Sequence, residues 1–99
     1  MNLDELTQKI RDKVGDDSGL DASIKFVLGD EGVIVIDATV TPNVVTNEDR
    51  DAQCTIRVSS DDFTSMLSGE LDPMGAFMGG KIQVEGDMAV AMKLGNVVG

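Results

Sequence analysis

Apolar residues recur along this chain in two rhythms. Leu3, Leu6, Ile10 and Val14 follow at intervals of three and four, which gathers them on one face of a helix. Asn2 precedes this run with Glu5 three residues on, close to a capping box. Acids occupy the first turn and Lys9, Arg11 and Lys13 the end, as the helix dipole prefers, and Gly15 closes the helix. Ile24, Phe26 and Leu28 then alternate with Ser23, Lys25 and Val27, the period of a strand with one buried face. Gly29-Asp30-Glu31-Gly32 supplies a turn into residues 33–40, completing a hairpin. Because Val33 and Val35 are apolar as well as Ile34 and Ile36, part of the second strand is expected to be covered on both faces and the strand to run centrally. Asp37 marks where one face turns wet.

Thr41-Pro42-Asn43 reads as a turn, Val44-Val45-Thr46 as a short edge strand, and residues 47–51 as a solvated loop. Cys54, Ile56 and Val58 alternate with Thr55, Arg57 and Ser59 in another half-buried strand, which places Cys54 inward beside Ile56. Ser59-Ser60-Asp61-Asp62 opens a helix with hydroxyl caps and early acids, with Phe63, Met66 and Leu67 as its stripe and Gly69 as its end. Asp72-Pro73 starts a further helix, because the carboxylate caps free N–H groups where proline's missing N–H costs nothing. Gly79-Gly80 stops it. Ile82 and Val84 alternate with Lys81, Gln83 and Glu85 as a strand, and Gly86-Asp87 breaks it and caps a closing helix.

The closing helix carries the strongest signal. On a wheel, Met88, Val90, Ala91, Met92, Leu94, Val97 and Val98 spread around most of the circumference, and only Lys93 and Asn96 mark a wet side. A helix that merely docks on a sheet needs an apolar arc of roughly 100°. A partner chain, a lipid surface or a ligand held between helix and sheet must cover the remainder. Methionine placement favours a ligand: Met66, Met74, Met78, Met88 and Met92 lie in one third of the chain, and their unbranched thioethers suit variable apolar guests. Ordinary core filling is the plainer reading of the same residues.

Ninety-nine residues make a single domain, spanning 1–99, able to bury a core without disulfides or metal. With three Phe, no Trp and no Tyr, that core must be aliphatic and methionine-based. A net charge of −10 argues against a nucleic-acid partner and against sustained attraction to anionic lipid. Lone Cys54 fits a reducing compartment. The chain shows neither a signal peptide, an apolar run of membrane-spanning length nor a terminal address tag, so a cytoplasmic location is expected. With no His in the chain, Cys54 lacks a base to activate it and reads as core filler. The acids of Asp16-Asp17 lack calcium-loop spacing, and Gly75, Gly80 and Lys81 match a phosphate loop only by accident, since Ile82 replaces its Ser/Thr. No catalytic residue, metal or cofactor is expected.

Cys54-Thr55-Ile56-Arg57-Val58-Ser59, Asp62-Phe63, residues 67–73, residues 76–82, Gly86-Asp87-Met88 and Met92-Lys93-Leu94, in this order and spacing, resemble the sterol carrier protein 2 domain. The earlier helix and glycine hairpin agree with that family more loosely, and the short chain looks like a small stand-alone microbial form. The resemblance implies an α+β fold: a five-stranded mixed, mostly antiparallel sheet with helices packed on one face around an apolar tunnel. It also implies non-enzymatic binding and carriage of a fatty acid, fatty acyl-CoA or sterol-like lipid, with the closing helix as a lid. Phe63, Leu67, Leu71, Pro73, Phe77, Ile82, Met88, Ala91, Met92 and Leu94 occupy matching pattern positions. The expected tunnel lining is Phe63, Met66, Leu67, Leu71, Met74, Phe77, Met78, Ile82, Val84, Met88, Ala91 and Met92. The implied partner is a small apolar lipid, with transient membrane contact and either a monomer or a homodimer. The rival reading is a protein-interaction or dimerisation module that uses the apolar C-terminal helix.

Overall fold

The computed structural model describes residues 2–15 and 21–93. Helix α1 (Leu3–Val14) begins where the Asn2 side chain accepts the Glu5 backbone N–H at 2.9 Å, and it ends at Gly15. Strands β1 (Ser23–Val27), β2 (Val33–Asp37), β3 (Val44–Thr46), β4 (Cys54–Val58) and β5 (Ile82–Gly86) form one sheet in the order β3-β2-β1-β4-β5. Between β4 and β5 stand α2 (Ser60–Leu67) and α3 (Pro73–Met78), and α4 (Met88–Ala91) follows β5. Every strand pairing is antiparallel except β1 with β4, so the implied mixed, mostly antiparallel α+β architecture is the observed one.

Register explains the core. Pairing sets Ile24 and Phe26 beside Ile36 and Ile34 on one side and beside Cys54 and Ile56 on the other, and β5 adds Val84 and Ile82 opposite Ile56 and Val58. One face of the sheet is therefore continuously apolar. Leu6, Ile10 and Val14 of α1 and Phe63, Met66 and Leu67 of α2 bury their predicted stripes in the same cluster. The α1 end is also pinned by hydrogen bonds: Arg11 donates to the Val45 carbonyl at 3.1 Å, and the Asn47 amide reaches both the Thr7 hydroxyl and the Val33 carbonyl.

Two expectations for β2 change. It is interior, with β3 on the edge as predicted, but the centre belongs to β1, because β4 joins the free edge of β1 from far along the chain. Coverage of part of β2 on both faces does hold: Val35 faces away from the helices yet is buried, while Val33 on the same face is half-buried. Its register partner Lys25 reaches Asp49 at 2.8 Å, so the loop after β3 lies against the outer face there. The strand also stops at Asp37 rather than Val40. The Asp37 carboxylate accepts the Thr39 N–H and hydroxyl, which diverts the backbone into a local turn.

Those Thr39 bonds, helped by Arg50, hold the Asp37 carboxyl below its ordinary range. A lowered folded-state pKa means that its stabilisation is present above the unfolded carboxylate pKa of about 4 and fades as pH falls through the folded value. Thr39→Ala should therefore bring the melting temperature closer to wild type at pH 2.5 than at pH 6. A constant offset across melts from pH 6 to 2.5 would show that Thr39 acts through packing instead.

Candidate functional site

The apolar residues of the C-terminal half separate into an inner and an outer set. Serine chemistry fixes the inner set first: the Ser59 hydroxyl accepts the Asp62 N–H at 3.1 Å, starting α2 so that Phe63, Met66 and Leu67 turn toward the sheet. Phe63 meets Phe26 of β1 with ring centroids 4.9 Å apart and planes tilted 49°, a favourable aromatic geometry. Ile82 completes this closed layer, and Leu71, Val84 and Ala91 pack half-buried at its margin.

Helices α3 and α4 behave otherwise. Asp72 accepts the Gly75 N–H at 3.0 Å with Pro73 in the first turn, and Asp87 accepts the Ala89 N–H at 2.9 Å, so both helices start where the sequence predicts. In α3 the one buried residue is Ala76, and in α4 it is Val90. The larger side chains point outward: Met74 is 53%, Phe77 41%, Met78 83%, Met88 48% and Met92 73% exposed. A six-residue helix seated on a methyl group can approach β5 closely, and this directs its own apolar stripe away from the sheet. Of the twelve residues expected to share one lining, the structure brings seven onto the inner layer or its margin and leaves these five on the surface. From Leu94 onward the expected closing helix lies outside the described residues.

A surface cleft of about 400 Å³ opens at one end of the sheet, lined by Val27, Gly29, Arg57, Val58, Ser59, Gly80, Lys81 and Gln83. None of the twelve borders it. Val27, Arg57 and Gln83 belong to the outer face of the sheet, where Arg57 also pairs with Glu85 at 3.1 Å. The alternation of β4 and β5 already marks those positions as outward. Their meeting in one cleft depends on cross-strand register, which the sequence does not display. Cys54 is buried, and burial together with the nearby Asp87 charge pushes its thiol pKa up, so it is a poor nucleophile. The anchoring roles of Ala76 and Val90 are not legible in the sequence, where Val90 is one of many apolar wheel positions and a residue as small as Ala76 carries no signal beside a methionine stripe.

The sequence model of the SCP-2 sterol transfer family matches residues 3–99. The chain belongs to this family. Human sterol carrier protein 2 is 40% identical over 55 residues, 56% of this chain but 10% of the human one. The bovine hydroxysteroid dehydrogenase-like protein 2 is 49% identical over 43 residues, 43% of this chain and 10% of its own. The matched stretch is thus about a tenth of the length of these curated relatives. Among solved structures, the sterol carrier protein domain 2 of Helicoverpa armigera superposes with a TM-score of 0.72 at 27% identity, covering 92% of this chain and 80% of that one. The palmitated SCP2L2 of Aedes aegypti gives a TM-score of 0.71 at 20% identity, covering 99% and 95%, which supports the SCP-2 fold. Among the described residues no helix is long and apolar enough to cross a membrane.

Proposed function

We propose that this SCP-2 family chain binds and carries an apolar lipid, a fatty acid, fatty acyl-CoA or sterol-like molecule, without catalysing a reaction. The observation that carries the reading is the manner in which α3 and α4 are held on an otherwise apolar sheet face: one buried side chain each, Ala76 and Val90. Beneath and beside them lie Ile82, Val84, Leu71 and the α2 stripe Phe63, Met66 and Leu67. A lipid chain enters by lifting α3 and α4 from β5 and lying on this inner layer. Freeing Val90 costs about 1.5–3 kcal/mol and freeing Ala76 less, whereas ten buried methylenes contribute about 8 kcal/mol before association costs are subtracted. The balance favours entry. Because methylene burial is non-directional, the specificity is broad across chain type. The palmitated state of the mosquito relative agrees with a fatty acyl guest. A lone thiol agrees with a reducing compartment, and the cytoplasm is the location that we propose.

Native mass spectrometry of protein purified without detergent, followed by titration with a fluorescent fatty acid, tests this reading. The expected result is a 1:1 adduct of lipid mass and micromolar binding, weakened about tenfold by Val84→Glu with an unchanged far-UV spectrum. Tenfold corresponds to about 1.4 kcal/mol, a modest share of the burial energy. Wild-type protein that leaves the probe unbound at 100-fold excess over the expected constant would remove the carrier reading.

A further inference from the structure

Helices bury their apolar stripes as a rule, and α3 and α4 both do the reverse. Met74, Phe77 and Met78 fall at i, i+3 and i+4 on one face of α3, with buried Ala76 on the other. Met88 and Met92 stand at i and i+4 on one face of α4, opposite buried Val90. Ala76 and Val90 belong to the same core cluster and both helices contact β5, so the two stripes face outward on the same side of the molecule. Five large apolar side chains are thereby exposed on the helical side of the sheet. Apolar exposure of this kind signals something that covers it.

The surrounding charge identifies that cover. Glu70, Asp72 and Asp87 are exposed on the same segments, against Lys81 and Lys93, in a chain of net charge −10. An anionic bilayer is repelled by this rim, while the outermost group of a zwitterionic phosphatidylcholine headgroup is a cation that the rim attracts. A second copy of the chain fits poorly. The same acidic rim would face itself, and five side chains fall well short of the roughly 20–30 residues per side of a stable protein interface. Methionine also suits a fluid, irregular partner better than a fixed one, since its flexible thioether adapts to moving acyl chains.

We propose that the outward stripes of α3 and α4 are a docking surface for neutral, zwitterionic bilayers, set directly above the helices that the lipid must lift. The proposal names a partner for the lipid-carrier reading and rests on that reading for its purpose. Docking and loading are then physically linked: side chains that enter the headgroup region draw α3 and α4 outward from β5, along the direction that uncovers Ile82 and Val84.

The test is cosedimentation of the full chain with vesicles of pure phosphatidylcholine and of phosphatidylcholine containing 30% phosphatidylglycerol. Binding to the neutral vesicles is expected, at least threefold weaker to the anionic ones in low salt, with the difference closing in 0.5 M salt. Met78→Glu combined with Met92→Glu, the two most exposed positions, should weaken neutral-vesicle binding tenfold or more. Fluorescent fatty-acid binding in solution should stay within threefold of wild type, and the far-UV spectrum should not change. Equal or stronger binding to anionic vesicles, no vesicle binding, or a stable dimer on size exclusion that the double substitution dissociates would each overturn the docking surface. Loss of fatty-acid binding by the wild type in solution would instead count against the carrier reading, so the two failures are separable.

Discussion

Gly86→Ala should unfold this protein more readily than its chemistry suggests. Gly86 closes β5 at φ +97°, and a Cβ placed there would stand 2.5 Å from the Gln53 carbonyl oxygen and 3.3 Å from the Cys54 Cα. Both neighbours are backbone, and they are fixed: Gly86 pairs with Cys54 in the ladder, and the Asp87 N–H donates to that same Gln53 carbonyl at 2.9 Å. The added methyl therefore meets an unfavourable conformation, costing about 1–3 kcal/mol, and an overpacked contact of about 1–3 kcal/mol more. A loss of about 3 kcal/mol or more is expected from urea denaturation. Gly80→Ala supplies the control, since Gly80 has φ +76° but open space around a Cβ, and should show only the conformational part. Equal losses at the two sites would refute the crowding at Gly86.

Phe63→Ala should be comparably severe. Phe63 is fully buried, packs at a tilt against Phe26, and is one of only three phenylalanines in the chain, so no neighbouring ring can take its place. Truncation of a buried phenylalanine costs about 3–5 kcal/mol, a large part of the total of about 5–15 kcal/mol typical of a domain. Phe63→Leu keeps most of the volume and should cost less than about 1.5 kcal/mol. The urea midpoints of the two variants check this. If the alanine variant melts with the leucine variant, the α2 stripe closes around the gap and the inner layer is more deformable than its burial implies.

Local chemistry was the most legible part of the fold. Asn2, Ser59, Asp72 and Asp87 all cap the helices whose starts they mark, because capping is decided within three residues. The inward phase of Cys54, Ile56 and Val58 followed from alternation alone. The rank of β2 was misjudged because apolarity on both faces reports coverage, and coverage of Val35 comes in company with a loop that looked merely solvated. At the candidate site, the excess of methionine was plain in the sequence, but its direction was not. Helical spacing states that Met74, Phe77 and Met78 share a face; it cannot state which face docks. That choice fell to Ala76, whose small side chain lets backbone meet backbone closely enough to outweigh burial of larger neighbours.

The parallel pairing of β1 with β4 has a consequence for biosynthesis. Strand β1 can find β2 as soon as the hairpin leaves the ribosome, but the partner for its other edge is encoded only at Cys54–Val58. Until those residues emerge, the nascent chain presents Ile24 and Phe26 beside an open row of backbone donors and acceptors, the state most prone to mispairing with another chain. Translation that slows before Cys54 prolongs that exposure, whereas a slowing after Val58 falls when the hazardous edge is already occupied.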